Sequence, residues 1–372
     1  MKPITLFPSR SAGLRPGANQ ATSSRVPGRR PALQSLHHSW ARSTASVKVA
    51  FVTSLFATLS VTAAEIDYSA AITRLETAVR AEMRDWNIGG ISLALTDGAR
   101  LVHAAGFGEA SKDSVFRAGS ISKLFNAIAV LQLVEAGKLD LDAPVSALPG
   151  ATMPVQPFRG ATNVTMRQLL SHRSGLQRES PIGSYFDDSE PGLAATCASL
   201  RDCVLATQPT AKTRYSNIAP SIAGHIVATL TGMSFEQYQR EKILNPLGMN
   251  QSAWLKRDVP GGKVITSHMR IADLDGKGGF HHGDAPLFDL GTIPAGNLFT
   301  TAPDLAKFLV MLSRSMRGEG VLLRPATLAD MWKPQFDDNA GFGLAFVVGK
   351  FRGHRTVGHS GAVYGHSTSL VF

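Results

Sequence analysis

Cysteine is nearly absent from this 372-residue chain, which has only Cys197 and Cys203. Neither has a histidine neighbour, which argues against a cysteine nucleophile and against a Cys/His metal cluster. Their close spacing fits a small disulfide loop in an oxidising compartment, with two reduced thiols as the alternative. Several catalytic signatures are missing as well. No G-x-S-x-G elbow occurs, so a Ser-Asp-His relay on an α/β-hydrolase scaffold has no anchor. No G-x-x-x-x-G-K-[ST] spacing surrounds D-G-K-G-G at 275–279, so that stretch is not a phosphate loop. His281, His282 and Asp284 lack both the helical H-E-x-x-H spacing and a third ligand. A polar loop is expected there, and no metal site.

Negative charge is absent from one end of the chain. The first 64 residues hold eight of the 38 Lys and Arg and none of the 28 Asp and Glu, which leaves 30 basic against 28 acidic residues in the remainder. Eight of the ten formal net positive charges therefore belong to the first 64 residues, and the body has no basic run of the kind that phosphate backbones require. Nucleic acid is excluded as a partner on that ground.

Long apolar runs are also missing. The best is residues 47–65, V-K-V-A-F-V-T-S-L-F-A-T-L-S-V-T-A-A-E, with a basic residue, about 13 mostly apolar residues and then small ones. It is too short to span a bilayer as a stable helix and has the form of a secretory signal cleaved after Ala63 or Ala64. A retained amphiphilic tail on the membrane is the alternative. Periplasmic or secreted localisation, with no stable membrane span after cleavage, follows from the first reading. Residues 1–46, rich in Arg, Ser, Pro and Gly without periodic apolar pattern, read as a disordered basic leader. Either translation starts at Val47 or the leader is an organellar targeting segment. The expected organisation is therefore a leader (1–46), a signal (47–64) and one large domain (65–372).

Within that domain, Ile72, Leu75, Val79 and Met83 recur at helical spacing. G-I-S-L-A-L and L-V-H-A-A-G-F-G flank a D-G turn and predict a hairpin. Leu124, Ile128, Leu131 and Val134 mark a second helix that stops at Gly137. M-R-Q-L-L-S-H predicts a short helix, with His172 at its end as a donor to the last carbonyls. P-S-I-A-G-H-I-V-A-T-L-T-G predicts a helix capped by Gly232, and Ser234 with Gln237 reads as the capping box of the next. Strand patterns return only near the end, where H-S-G is placed in an edge strand. The fold class expected is α+β: an antiparallel sheet assembled from both ends, flanked by helices, beside a mainly helical domain.

Ser120 and Lys123, in F-R-A-G-S-I-S-K, are three residues apart at a helix start, so hydroxyl and amine share a face. A nearby lysine lowers the cost of making a serine alkoxide, and the orphan amides of the first helical turn favour developing negative charge. Alone, the pair equally describes a helix-capping serine and a solvated lysine. Two further clusters change the balance. In T-R-Y-S-N-I-A-P, Tyr215 can relay a proton if part of its population is phenolate, and Asn217 offers an amide to a bound carbonyl and to Lys123. In V-G-H-S-G-A, Gly361 permits close approach of substrate backbone, and His359 lines the opposite wall as a donor or partial cation.

S120-I-S-K123, Y215-S-N217 and H359-S-G361, in that order, resemble the three signature elements of the beta-lactamase-related serine hydrolases. That superfamily includes class C beta-lactamases, D-alanyl-D-alanine peptidases, D-aminopeptidases and related esterases. L-V-E-A-G-K-L-D-L-D-A-P-V (133–145), M-R-Q-L-L-S-H-R-S-G-L (166–176), Y-S-N through I-L-N-P-L-G-M (215–249) and G-N-L-F-T-T-A-P-D-L-A-K-F-L (296–309) are similar to the same family. The resemblance runs from about residue 68 onward. It implies acylation of Ser120 by an ester or amide carbonyl, with Lys123 and Tyr215 sharing the base role. The oxyanion would lie between the backbone N–H groups of Ser120 and Ala362, water would deacylate the enzyme through Tyr215, and no metal or organic cofactor is needed. The implied substrate is a small ester, an amide or a D-amino-acid peptide; a beta-lactam or cell-wall sensor that hardly turns over is the non-catalytic alternative. Histidine at 359, where class C beta-lactamases and most D-alanyl-D-alanine peptidases carry lysine, points away from those two branches. The family sheet has two more strands and a helix after the H-S-G strand, so the C-terminal strands are expected to be missing from this sequence.

Overall fold

From Ser122 to Leu131 the chain holds a single charge, and every one of these residues is buried. A helix apolar on all sides belongs in the centre of a protein. In the computed structural model, which describes residues 66–98, 100–160, 162–273, 279–336 and 341–372, this stretch is the buried axis of the helical part. The leader and signal readings for 1–46 and 47–64, and most of D-G-K-G-G, lie outside the described residues.

Helix α1 (Ser69–Trp86) precedes a hairpin of β1 (Gly90–Asp97) and β2 (Arg100–Gly108), in which Asp97 pairs with Arg100 and Gly98 takes φ +51° at the expected turn. Strand β3 (Phe116–Arg117) leads through a 3-10 turn, Gly119–Ile121, into α2 (Ser122–Glu135). Gly137 ends α2 at φ +67°, as its position after the last periodic residue predicted. Then come α3 (Met166–Leu170), α4 (Leu193–Ala198) and α5 (Ile218–Thr231), the last closed by Gly232 at φ +68°. A π turn, Arg240–Leu244, joins α6 (Phe235–Gln239) to α7 (Asn245–Leu247). Ser234 accepts from the Gln237 N–H, but the Gln237 side chain donates to Glu241 instead of closing a box. The reciprocal box is at Thr165 and Gln168, on α3.

Strands β4 (His268–Ala272) and β5 (Phe280–Asp284) pair with each other, so H-H-G-D is strand and not the loop expected. Its histidines are exposed and stand opposite Ile271 and Arg270 of β4, and His281 Nδ1 lies 2.7 Å from Asp273 Oδ1. Helix α8 (Ile293–Gly296) and β6 (Phe299–Thr300) precede α9 (Ala302–Met316) and α10 (Pro325–Met331). The chain closes with β7 (Val347–Phe351), β8 (His354–Val363) and β9 (His366–Val371) in the order β7-β8-β9. β8, which carries H-S-G, is thus central in its sheet rather than at an edge.

The fold is α+β, with small antiparallel sheets flanked by helices. The expected single sheet is represented by separate units from the two ends of the domain, β1–β2 and β7–β9, which share the lining of one cleft of about 960 Å³ with Ala302, Leu305 and Leu309 of α9. Cys197 is buried in α4 and Cys203 half-buried beyond it. Both are free thiols, so the disulfide reading gives way to the reduced one: Cys203 Sγ turns to the Ser199 carbonyl at 3.8 Å, and Cys197 packs into the apolar core, where burial pushes its pKa to about 12.

α2 packs against α5 and α8, and Phe125 stacks on Phe308 with ring centroids 4.4 Å apart. Each such buried side chain contributes about 1.5–3 kcal/mol relative to exposure. The sheet side grips the Gly119 turn directly. The Ala118 carbonyl accepts from Thr368 Oγ1 of β9 at 2.8 Å, and a Cβ at Gly361 would lie 2.0 Å from that same oxygen and 2.4 Å from the threonine oxygen. Gly361 therefore admits the chain's own backbone, not the substrate's as its sequence position suggested. Replacing Gly361 with Ala is expected to destabilise the protein by about 1–3 kcal/mol through overpacking. Urea unfolding measures this, and an unchanged midpoint would refute the close packing of β8 on the turn.

Candidate active site

Ser120 lies in the 3-10 turn, half-exposed, and four constraints set that turn. Gly119 adopts φ +53°, open to glycine at little cost, and a Cβ there would sit 2.8 Å from the Ala362 nitrogen. The Ala118 N–H donates to Leu298 O at 2.7 Å. The Ser122 hydroxyl donates to Gly119 O at 2.6 Å and accepts from the Leu298 N–H at 3.0 Å. Strand β8 is thereby held against the Ser120 turn, with Ala362 at its exposed end.

One turn further on, Lys123 is 2% exposed. Its Nζ is 3.0 Å from Ser120 Oγ, 2.8 Å from Asn217 Oδ1 and 2.8 Å from the Ala295 carbonyl. Burial pushes its pKa well below the ordinary lysine value, opposed by the attraction of Glu179 and helped by the repulsion of Arg178. A neutral amine has two N–H bonds and one lone pair. In that form the two carbonyls would occupy both N–H bonds and leave the lone pair for the Ser120 hydroxyl.

Tyr215 reaches the same oxygen from the other side, its hydroxyl donating to Ser120 Oγ at 2.7 Å. The Lys123 Nζ stands 4.8 Å from the centre of the tyrosine ring. Burial raises the Tyr215 pKa above its usual value, overriding the hydrogen bond to Ser120 that lowers it. The phenolate considered from sequence is therefore disfavoured: Tyr215 is a phenol, suited to giving a proton.

Asn217 is buried at the junction with α5, where its Oδ1 accepts from Lys123 and its Nδ2 donates to Glu179 Oε1 at 2.8 Å. Asn217 faces the lysine and a carboxylate rather than open space for a bound carbonyl. Glu179, with Arg178, was not singled out from sequence, since R-E in a polar stretch has no signature. Its second oxygen, Oε2, is buried without a hydrogen bond, and burial raises its pKa. Glu179, Arg178, Tyr185, Ala362 and His366 line a cavity of about 620 Å³ beside the site. Tyr185 donates to the Ala362 carbonyl at 3.3 Å.

His359 is 7% exposed, with Nδ1 beside the Ser360 carbonyl at 2.5 Å and its ring 6.1 Å from that of Tyr215. Burial is the chief cause that lowers its pKa to about 4. It is a neutral imidazole near pH 7, not a partial cation. His172 is also misjudged by its place at a helix end: its Nδ1 accepts from the Ser216 N–H at 3.3 Å, so the ring does not cap α3. Ser120, Lys123, Tyr215, Asn217 and His359 thus converge, whereas Gly361 acts one step away, through β8. Among the described residues no group of three or more His, Cys, Asp or Glu side chains is placed to hold a metal ion. No single described helix is long and apolar enough to cross a membrane.

Residues 75–372 match the beta-lactamase family. The chain is 30% identical over 273 residues to penicillin-binding protein 4 of Amycolatopsis lactamdurans, covering 69% of this chain and 68% of that one. It is 29% identical over 233 residues to a D-alanyl-D-alanine-carboxypeptidase/endopeptidase of Escherichia coli, covering 59% and 56%. Across the curated relatives it resembles, the match spans from about two thirds down to about half of their length or less. Among solved structures it is similar to an octameric penicillin-binding protein homologue from Pyrococcus abyssi, with a TM-score of 0.67 and 27% identity over 81% of this chain and 70% of that one. A D-amino acid amidase from Ochrobactrum anthropi, complexed with D-phenylalanine, has a TM-score of 0.64 and 25% identity over 79% and 86%. With its serine, lysine and tyrosine gathered on one oxygen, the chain belongs to the beta-lactamase family of serine-hydrolase-type proteins.

Proposed function

We propose that this protein hydrolyses small amides and esters through an acyl-enzyme on Ser120, and that its preferred acyl groups carry a free amine, as D-amino acids do. The observation that carries the catalytic reading is the saturation of Lys123 by two carbonyls. Ser120 Oγ attacks the substrate carbonyl while its proton passes to the Lys123 lone pair. The oxyanion is met by the backbone N–H groups of Ser120 and Ala362, donors already in place before charge develops. As the tetrahedral intermediate collapses, Tyr215 protonates the leaving nitrogen or oxygen. Lys123 and Tyr215 border the same Oγ, so the proton taken by the amine is a short transfer from the tyrosine oxygen it must replenish. Water then follows the same route in reverse and releases the acid. Incubation with a fluorophosphonate should add one phosphonyl group by intact mass, and Ser120→Ala should take up none. Unchanged labelling of that variant would remove Ser120 from the nucleophile role. An adduct of any cleavable ester that persists for hours would instead favour a sensor.

The amine preference rests on Glu179, a carboxylate in the cavity wall with one oxygen lacking a partner, and on the likeness to a D-amino acid amidase. A charge-assisted bond to a substrate ammonium contributes about 1.5–3 kcal/mol. Glu179→Gln keeps an acceptor for Asn217 but loses the charge. Its kcat/KM should fall roughly 10- to 100-fold on D-amino-acid amides, as that energy implies, and little on their N-acetylated forms. Equal losses on both would exclude Glu179 from reading the amine.

His359 bears on the carboxypeptidase and beta-lactamase alternatives, whose substrates present a carboxylate. With a pKa of about 4, the imidazole is neutral above pH 5.5 and offers no cation to such a group. The ratio of kcat/KM for a D-alanyl-D-alanine peptide to that for a neutral nitrophenyl ester should therefore not carry a His359 titration between pH 5.5 and 9. His359→Lys should raise it by up to roughly 10- to 100-fold, the worth of a charge-assisted bond. A native ratio that falls with an apparent pKa near 6.5, abolished by His359→Gln, would show a charged His359 reading carboxylate.

A further inference from the structure

Tyr215 must hold its hydroxyl within hydrogen-bond reach of Ser120, yet it stands in a segment, 212–216, that belongs to neither helix nor strand. What fixes it comes from the far side of the loop. The His172 carbonyl accepts from the Arg214 N–H at 2.8 Å, its Nδ1 accepts from the Ser216 N–H at 3.3 Å, and its ring lies on the Tyr215 ring with centroids 4.3 Å apart and planes 32° from parallel. One residue thus holds the residue before the tyrosine, the residue after it and the aromatic ring itself. Phe342 stands edge-on behind the imidazole at 5.1 Å. Arg173 continues the grip, its carbonyl accepting from the Thr210 N–H at 2.8 Å and its guanidinium donating to the Thr210 carbonyl.

We infer that His172 is the positioning residue for Tyr215: it sets the approach of the tyrosine hydroxyl to the leaving group without touching substrate. Two further features fit that role better than plain packing. His172 has φ +59°, a conformation that residues with a side chain seldom adopt. Its Nε2 is buried with no hydrogen-bond partner. Because Nδ1 accepts from Ser216, the proton of the neutral ring is on Nε2, where it is left unsatisfied. A phenylalanine would fill the space without that penalty but would release Ser216. Histidine supplies both a flat face and an acceptor at the ring edge.

The inference rests on the proposed acyl-enzyme reading, in which Tyr215 protonates the leaving group, and its test separates the two. A nitrophenolate departs without a proton, whereas an alkylamine needs one. His172→Phe, assayed per fluorophosphonate-titrated site so that only folded enzyme is counted, should lose roughly 30- to 100-fold in kcat on an alkyl amide and less than about fivefold on the nitrophenyl ester of the same acid. KM should change little. In a Tyr215→Phe background the same substitution should have no further effect on the amide. His172→Asn accepts a left-handed backbone readily and should show the same amide-over-ester loss if the phenylalanine variant does not fold. Equal losses per titrated site on both substrates, or an undiminished loss in the Tyr215→Phe background, would overturn the positioning role. Failure of the acyl-enzyme reading would show separately, as absence of any Ser120 adduct in the native protein.

Discussion

An amine removed from water is the constraint on which the rest of this site depends. In solution Lys123 would be charged and useless as a base; inside the protein, burial favours the neutral form. Sustaining that state takes three parts of the chain. α2 carries the side chain into the core, the start of α5 brings Asn217, and α8 brings the Ala295 carbonyl. The two carbonyls hold Nζ in place and take up its N–H bonds, which gives the lone pair a direction. Without that saturation a buried lysine would be only a destabilising charge.

The surroundings keep the field around the amine from reversing this state. His172, His359 and His366 all have pKa values lowered chiefly by burial. Among the described residues Glu179 opposes it with negative charge, and that carboxylate is itself partly desolvated and tied to Asn217. Burial thus favours the uncharged forms of Lys123, Tyr215 and His359 together. That is the protonation pattern in which an amine accepts and a phenol donates.

Close backbone packing completes the geometry. Gly119 and Gly361 lie on the two sides of the contact between the Ser120 turn and β8, and a side chain at either would meet backbone atoms of the other segment. The sheet therefore acts on the Ser120 turn through close main-chain packing and the Thr368 hydroxyl. Rigid donors at Ser120 and Ala362 follow from this contact, since neither amide can shift without breaking the Thr368–Ala118 bond or the β8–β9 pairing.

Much of this was legible in the chain itself, wherever the signal is local. Three-residue spacing puts Ser120 and Lys123 on one helical face, periodic apolar residues mark α2 and α5, and glycines end both helices, because each of these depends on backbone geometry over a few residues. Tyr215, Asn217 and His359 could be chosen because their motifs keep recognisable company. What the sequence could not reveal was which groups meet across large separations. The Ala295 carbonyl is a partner that no residue type announces; Glu179 and His172 act through neighbours far along the chain; and whether Tyr215 is phenol or phenolate, or His359 cation or neutral base, depends on how much water packing leaves around them. Residue types and short spacings determined which chemistry this protein carries. Tertiary structure decided its protonation states and partners, since burial and long-range proximity exist only once the chain has folded.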